Sequence, residues 1–455
     1  MLEEITIMRS LFVKLPIETC GQRNRGRIIL PLLFLTWIMF LSACAPGIQD
    51  LPPKPEDGVL IYAALNPIAN SLRTRVDSFN KNHEDVQIEL RDYSDENGVQ
   101  RLMVELSAGM VPDIMELHRT SKPGANYLNA EGYCFAWSTA DIDYPLEEYW
   151  MPYRQLAQKG YLADLWPFIE GDPDLGREGV LEVPLKSAEV NGGLYMVFER
   201  ARIISLTGAE RIVGDRYGWT FAELMDCFST MPDDSTILRY TVSRSEVFNK
   251  LLRFSLGEYV DWEKGECSFD SEEFRNMVEF LKGFSEEIEE DPSEEVMREE
   301  FLRRFKGGRQ MLDGVVIGCL PALSQNDSIW GERTAFPGYP TADGASGSFF
   351  EPCGSNLAMA ANCSNKDAAW EFMREPLARR YNILKGSDEN AYVLHINLQN
   401  YQRATRAFLM DPVLPKESSW QPFSDQFFTY VPTIYPTETE LQRFEALINN
   451  TTQLY

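Results

Sequence analysis

Eight cysteines and three histidines are the side chains of this 455-residue chain that could ligate a soft metal ion. Cys20, Cys44, Cys134, Cys227, Cys267, Cys319, Cys353 and Cys363 stand singly, without a C-x-x-C pair. His83, His118 and His395 lie far apart, so a zinc site of ordinary ligand spacing is not expected. One disulfide, Cys353 with Cys363, is open to a chain outside the cytoplasm, although spacing alone does not establish it. Neighbouring carboxylates such as Glu287 with Glu289 or Glu299 with Glu300 have the residue type for glycoside hydrolysis, which needs two carboxylates flanking a bond. Both pairs fall in charged runs with helical character, the pattern of a solvated face. The sequence holds no G-x-S-x-G, H-E-x-x-H, Walker loop or strand-linked G-x-G-x-x-G. Neither a catalytic group nor a cofactor is therefore expected, and a surface glycosidase stays as the enzymatic alternative.

The charge balance narrows the partners. Asp and Glu number 69 against 43 Lys and Arg, a formal net charge of −26 scattered along the chain. Phosphate binding needs a basic face, so nucleic acid is excluded as an expected partner. At the amino terminus Arg23, Arg25 and Arg27 precede an uncharged apolar run from Ile28 to Leu41, the basic and apolar regions of an export signal. The run ends in Leu41-Ser42-Ala43-Cys44, which resembles the bacterial lipobox, where a diacylglycerol is linked to the cysteine thiol before cleavage. The competing reading is an uncleaved membrane-spanning helix. The small residues, the cysteine and the Pro-rich stretch from Ala45 to Pro55 favour a lipoprotein. The expectation is a signal peptide over 1–43, lipidation at Cys44, and a flexible tether over 44–56 on the extracytoplasmic face of the membrane.

Beyond Asp57 short apolar runs alternate with amphipathic stretches, the signature of an α/β layout. Val59 to Leu65 reads as a buried strand; Asn66 offers a helix cap, and Ile68, Leu72, Val76 and Phe79 recur at helical spacing. Val86, Ile88 and Leu90 alternate as a strand, Val99 to Leu106 is helical up to Gly109, and Pro112-Asp113-Ile114 opens a third strand. The resulting βαβαβ order places the strand ends near Asn66 and Glu116 on one crevice. Arg119 to Trp150 reads as an elaborated loop, and Leu146 to Gln158 as helical. Asn191-Gly192-Gly193 is a hairpin signal, Thr220 with Glu223 a capping box, and Asp270 to Phe284 a further helix.

Several of these local patterns together resemble the family 1 extracellular solute-binding proteins, the sugar-binding lipoproteins of ATP-driven importers. They are Phe79-Asn80-Lys81, Leu106-Ser107-Ala108-Gly109 before Pro112-Asp113-Ile114, Gly160-Tyr161-Leu162-Ala163-Asp164-Leu165, Asn191-Gly192-Gly193-Leu194-Tyr195 and Gly218-Trp219-Thr220. Cys267-Ser268-Phe269-Asp270, Tyr339-Pro340 and Ser364-Asn365-Lys366-Asp367-Ala368-Ala369-Trp370-Glu371-Phe372 complete the series. The resemblance implies a two-lobe, periplasmic-binding-protein-like α/β fold with a hinge and a ligand cleft between the lobes. It further implies a monomer, a carbohydrate-like ligand and the permease subunits of an ABC transporter as partners, with a surface glycan-binding adhesive lipoprotein as the alternative. The expected partition is lobe 1 over 57–165, lobe 2 over 166–335, a return to lobe 1 over 336–363 and completion of lobe 2 over 364–455, with a truncated end.

On this layout the expected ligand-binding residues are Asn66, Glu116, His118, Phe198, Arg200, Trp330, Phe349 and Phe350. Asn66, Glu116 and His118 follow strand ends in lobe 1, and Phe198 and Arg200 follow the hairpin signal. Phe349 and Phe350 lie in the returning loop. Trp330 substitutes for the cleft aromatic that sugar binders often carry after a segment like Phe305-Lys306-Gly307-Gly308. Polar groups with two hydrogen-bonding positions suit vicinal hydroxyls, and aromatic faces suit the C–H faces of a pyranose.

Overall fold

The computed structural model describes residues 58–118, 151–238, 266–284, 307–383, 393–410 and 437–453, with residues 259–261 and a few single positions between 244 and 304. The leader, Cys44, the tether, Cys134, the loop from Arg119 and the acidic pairs at 287–289 and 299–300 lie outside the described residues.

The first sheet grows from local pattern. Val59–Ala64 (β1) is joined through the helix Asn70–Asn82 (α1) to Gln87–Asp92 (β2), and through Gly98–Ser107 (α2) to Ile114–Glu116 (β3). Both neighbours run parallel to β1, with Val59 opposite Gln87 and Tyr62 opposite Ile114. α1 buries Val76 and Phe79, and α2 buries Leu102 and Leu106, the residues at helical spacing. α2 closes at Gly109, whose φ of +81° only glycine adopts without strain. Asn66 is not the cap of α1, which begins after Ala69; its side chain is engaged elsewhere, as described below. A fourth strand, Leu357–Met359 (β12), lies antiparallel to β3, giving the order β12-β3-β1-β2.

The next stretch carries Tyr153–Gln158 (α3), Trp166–Gly171 (α4), Glu182–Lys186 (α5) and the hairpin Glu189–Val190 (β4) with Gly193–Leu194 (β5). Asn191 and Gly192 have φ of 53° and 83°, the two positive values a type I′ hairpin turn demands. This stretch packs with the first sheet. Ala163 N–H donates to Met359 O at 2.8 Å, and the rings of Phe168 and Trp370 are 5.8 Å apart.

The second sheet is organised by the long strand Arg200–Ala209 (β6), followed by Glu210–Val213 (α6) and Phe221–Ser229 (α7), the latter opened by the Thr220–Glu223 capping box. Val260–Asp261 (β7) and Glu266–Cys267 (β8) make a small ribbon. Glu272–Leu281 (α8), capped by Ser271, packs on α7 with Phe221 and Phe280 centroids 5.7 Å apart. The remaining elements are Asp313–Ile317 (β9), Pro321–Trp330 (α9), Thr334–Ala335 (β10), Phe349–Cys353 (β11), Lys366–Ala378 (α10), Leu394–His395 (β13), Leu398–Met410 (α11), Glu438–Asn449 (α12) and Thr452–Gln453 (β14). β6 pairs antiparallel with β9, β10, β11 and β13, and β14 lies parallel to β11. Along β6 the side chains alternate between two cores. Ala201 and Ile203 join the one shared with the first sheet, while Ile204 and Leu206 join one around Trp219, Leu224 and Met311.

Packing runs across the expected boundaries at two places. Beyond residue 165 the chain stays against the hairpin and the first-sheet elements, with Leu165 N–H donating to Leu194 O at 2.7 Å and Ala163 N–H to Met359 O. Helix α10, assigned to the second lobe, packs instead on the first sheet: Phe372 lies 5.9 Å from Tyr62 and 5.6 Å from Phe79, and Arg75 sits over its ring at 4.1 Å. Helical periodicity reveals a buried face but not the sheet it meets.

Candidate functional site

Glu116 ends β3 with only 7% of its surface exposed. Its carboxylate accepts hydrogen bonds from Tyr62 Oη, Leu65 N, Asn66 N and Asn66 Nδ2, each at 2.9 Å. Asn66 Nδ2 also donates to His118 O at 2.9 Å, so the ends of β1 and β3 are tied by one amide. Burial raises the Glu116 pKa above the ordinary carboxylate value, and the bonds from Asn66, Tyr62 and Leu65 offset only part of this. Burial and the Arg202 charge lower His118 to about 4, so its imidazole is neutral at pH 7. Tyr62 is driven well above its usual range by burial and the Glu116 charge.

The second sheet contributes the start of β6. Arg200 pairs with Glu199 at 2.7 Å and Arg202 with Glu351 at 2.6 Å, the latter across the β6–β11 register. Two segments cross between the sheets here. Val197 exchanges two 2.9 Å backbone bonds with Leu357, and Leu117 N–H donates to Asn356 O at 2.9 Å. Gly354 sits in the second crossing at φ +82°, a left-handed conformation that favours glycine. The junction thus gathers Asn66, Glu116 and His118 from one sheet, Arg200, Arg202 and Glu351 from the other, and Asn356 between them.

No protein-family model and no curated protein matches the sequence. Solved structures overlap most of it at low identity. The sugar-binding protein MalE from the phytopathogen Xanthomonas citri is 14% identical, covering 87% of this chain and 86% of its own with a TM-score of 0.43. An ABC substrate-binding protein from Listeria monocytogenes, in complex with cycloalternan, is 15% identical over 87% and 95% with a TM-score of 0.36. A family 1 extracellular solute-binding protein from Alicyclobacillus acidocaldarius is 13% identical over 86% and 98% with a TM-score of 0.37. At these identities and scores the overlap transfers neither ligand nor partner to this chain.

Among the expected ligand residues, Asn66, Glu116 and His118 meet directly, and Arg200 stands across the junction. Phe198, Phe349 and Phe350 pack within the hydrophobic cores. They are 1%, 5% and 1% exposed, with Phe349 packed 5.9 Å from Tyr339 in the second core, and Phe349 and Phe350 form strand β11 rather than a loop. Trp330 ends α9, four residues before Thr334, which pairs with Ala209 at the opposite end of β6. At about 3.3 Å per residue that end lies roughly 30 Å from Arg200. Cys353 and Cys363 are not joined to each other. Arg202, Glu351 and Asn356 stand at the same junction without being among the residues expected from sequence. Arg202 was legible as the i+2 neighbour of Arg200 on the same strand face, whereas Glu351 and Asn356 depend on a register that only the fold sets.

Chemically the junction offers hydrogen-bond donors and acceptors and two ion pairs. Among the described residues no group of three or more His, Cys, Asp or Glu could hold a metal ion, and no helix is long and apolar enough to cross a membrane.

Proposed function

We propose that the chain is a solute-binding protein that captures a small polar ligand, a sugar or oligosaccharide, at the junction of the two sheets and delivers it to the permease of an ABC importer. The observation that carries this reading is the convergence of Asn66, Glu116, His118, Arg202 and Glu351 where the chain passes between two α/β units. Such groups orient a hydroxylated ligand, and each ion pair leaves the junction without local excess charge. The role is binding without catalysis. Residues 58–118 and 151–197 with 357–378 form one lobe and the second sheet with its helices the other, with Val197–Arg200 and Cys353–Leu357 as the hinge. A ligand touching both lobes favours the closed form in proportion to its preference for it.

Lipidation at Cys44 anchors the protein on the extracytoplasmic face of the membrane, on the strength of Leu41-Ser42-Ala43-Cys44 after an apolar run. Calorimetric titration of the mature chain with a panel of neutral oligosaccharides tests the binding reading, because a ligand that binds only the folded state also raises its melting temperature. Saturable heat with a raised melting temperature is expected. Glycan hydrolysis, or no heat with any member, would overturn it. For the anchor, Cys44→Ser is expected to release the protein from the membrane fraction.

A further inference from the structure

Asn356 is 2% exposed, yet neither its Oδ1 nor its Nδ2 has a hydrogen-bond partner. A buried amide with both ends unmet is rare in a native fold, because each unpaired group loses its hydration without compensation. Its backbone is fully employed: Asn356 O accepts from Leu117 N, and the next residue exchanges two bonds with Val197. The registers of Leu357 with Glu116 and of Leu357 with Val197 set Asn356 opposite Leu117 and Phe198, two buried apolar residues that supply no partner. Both crossing segments carry such a group, since the buried Arg200 Nε at the start of β6 is also unpaired. These positions flank the Asn66 amide, which is tied to the Glu116 carboxylate and to the His118 carbonyl.

We infer that the Asn356 amide is a ligand-contact and specificity-determining group at the hinge, donating through Nδ2 and accepting through Oδ1 to two adjacent hydroxyls of a neutral sugar. This rests on the sugar-binding reading above and adds a residue and a ligand pattern to it. One donor and one acceptor on a short rigid amide match a vicinal diol, in which one hydroxyl accepts and its neighbour donates. A carboxylate in place of the hydroxyl that donates to Oδ1 would set two acceptors face to face, so a uronic acid carrying its carboxylate there is disfavoured.

The test uses the mature full chain and four probes: maltotriose, cellotriose, xylotriose and digalacturonate. Asn356→Leu keeps the side-chain shape and removes both unmet groups; Asn356→Asp keeps the size and removes the donor. In the ligand-free protein Asn356→Leu is expected to raise the melting temperature by about 1–3 °C, because an orphaned buried amide is replaced by an apolar group. A fall instead shows that the amide serves the fold, and overturns the inference whatever the sugars do. Toward the neutral trisaccharide that wild type binds best, both variants are expected to lose about tenfold to a hundredfold in affinity, with wild type preferring that trisaccharide to digalacturonate. Unchanged affinity in Asn356→Leu overturns the inference while leaving the sugar-binding reading intact. If wild type binds none of the four, the sugar reading fails; the melting temperature of Asn356→Leu then decides separately whether the amide is held vacant.

Discussion

Two buried carboxylates, Asp172 and Glu116, are each 7% exposed and stand in opposite electrostatic positions. Asp172 is met by a full charge. Arg374 clamps both of its oxygens and reaches Asp174 at 2.8 Å, while Trp370 Nε1 donates at 3.1 Å. Burial pushes Asp172 up, but the Arg374 bonds, the Asp174 amide and the Arg374 charge outweigh it, and its pKa lies below the usual value. Glu116 is met by neutral donors only, and burial keeps its pKa raised. A charge-paired carboxylate locks α10 onto the stretch after α4, in the interior of one unit. A carboxylate satisfied by amide and phenol donors sits instead at the crossing between sheets, held by neutral dipoles. The difference is between a carboxylate neutralised by a counter-charge and one that burial leaves easier to protonate.

The contrast can be broken most forcefully at Arg374. Arg374→Ala leaves Asp172 buried without its counter-charge and is expected to cost about 3–5 kcal/mol in urea unfolding. A loss below about 1 kcal/mol would mean the clamp is ornamental. Glu116→Gln can keep its oxygen on the Leu65 and Asn66 N–H donors, but its amide nitrogen then faces Tyr62 Oη, which must turn from donor to acceptor. It is expected to cost about 1–3 kcal/mol and to abolish sugar binding measured by titration calorimetry.

The pH dependence sharpens the comparison further, because the signs are opposite. The stability contributed by Asp172 is present above its unfolded value of 3.8 and is lost as pH falls through the lower folded value. Glu116, raised above 4.5 in the fold, weakens the protein as pH climbs from 4.5 toward the folded value, so the cost of Glu116→Gln shrinks as pH rises. His118, lowered from 6.5 to about 4, contributes stability that is complete above 6.5 and drains away as pH falls toward 4. Melting curves at successive pH values are expected to show His118→Asn losing less stability than wild type between pH 6.5 and 4. The smallest stability effect is expected at Arg202. Its side chain is 48% exposed, and Arg202→Ala is expected to cost under about 1 kcal/mol in unfolding while weakening ligand affinity by a larger factor.

What the sequence determined by itself is the structure whose cause lies within a few residues. Val76 and Phe79 mark the buried face of α1 because a helix repeats every 3.6 residues. Asn191-Gly192 makes its turn because both positions need positive φ, and Thr220 with Glu223 caps α7 by bonds three residues apart. The strand ends at Asn66 and Glu116 followed from the βαβ order. What tertiary structure decided rests on contacts between residues far apart in the chain. Asn66 reads locally as a helix cap, and only the approach of β3, 50 residues on, turns its amide toward Glu116. Phe198, Phe349 and Phe350 read as cleft aromatics, but an apolar ring has the same pattern in a core as in a cleft, and the β6–β11 register buries them. Asn356 gave no signal, since an unmet amide is defined by which partners fail to arrive. Backbone pairing across sheets sets that, and no local period encodes it.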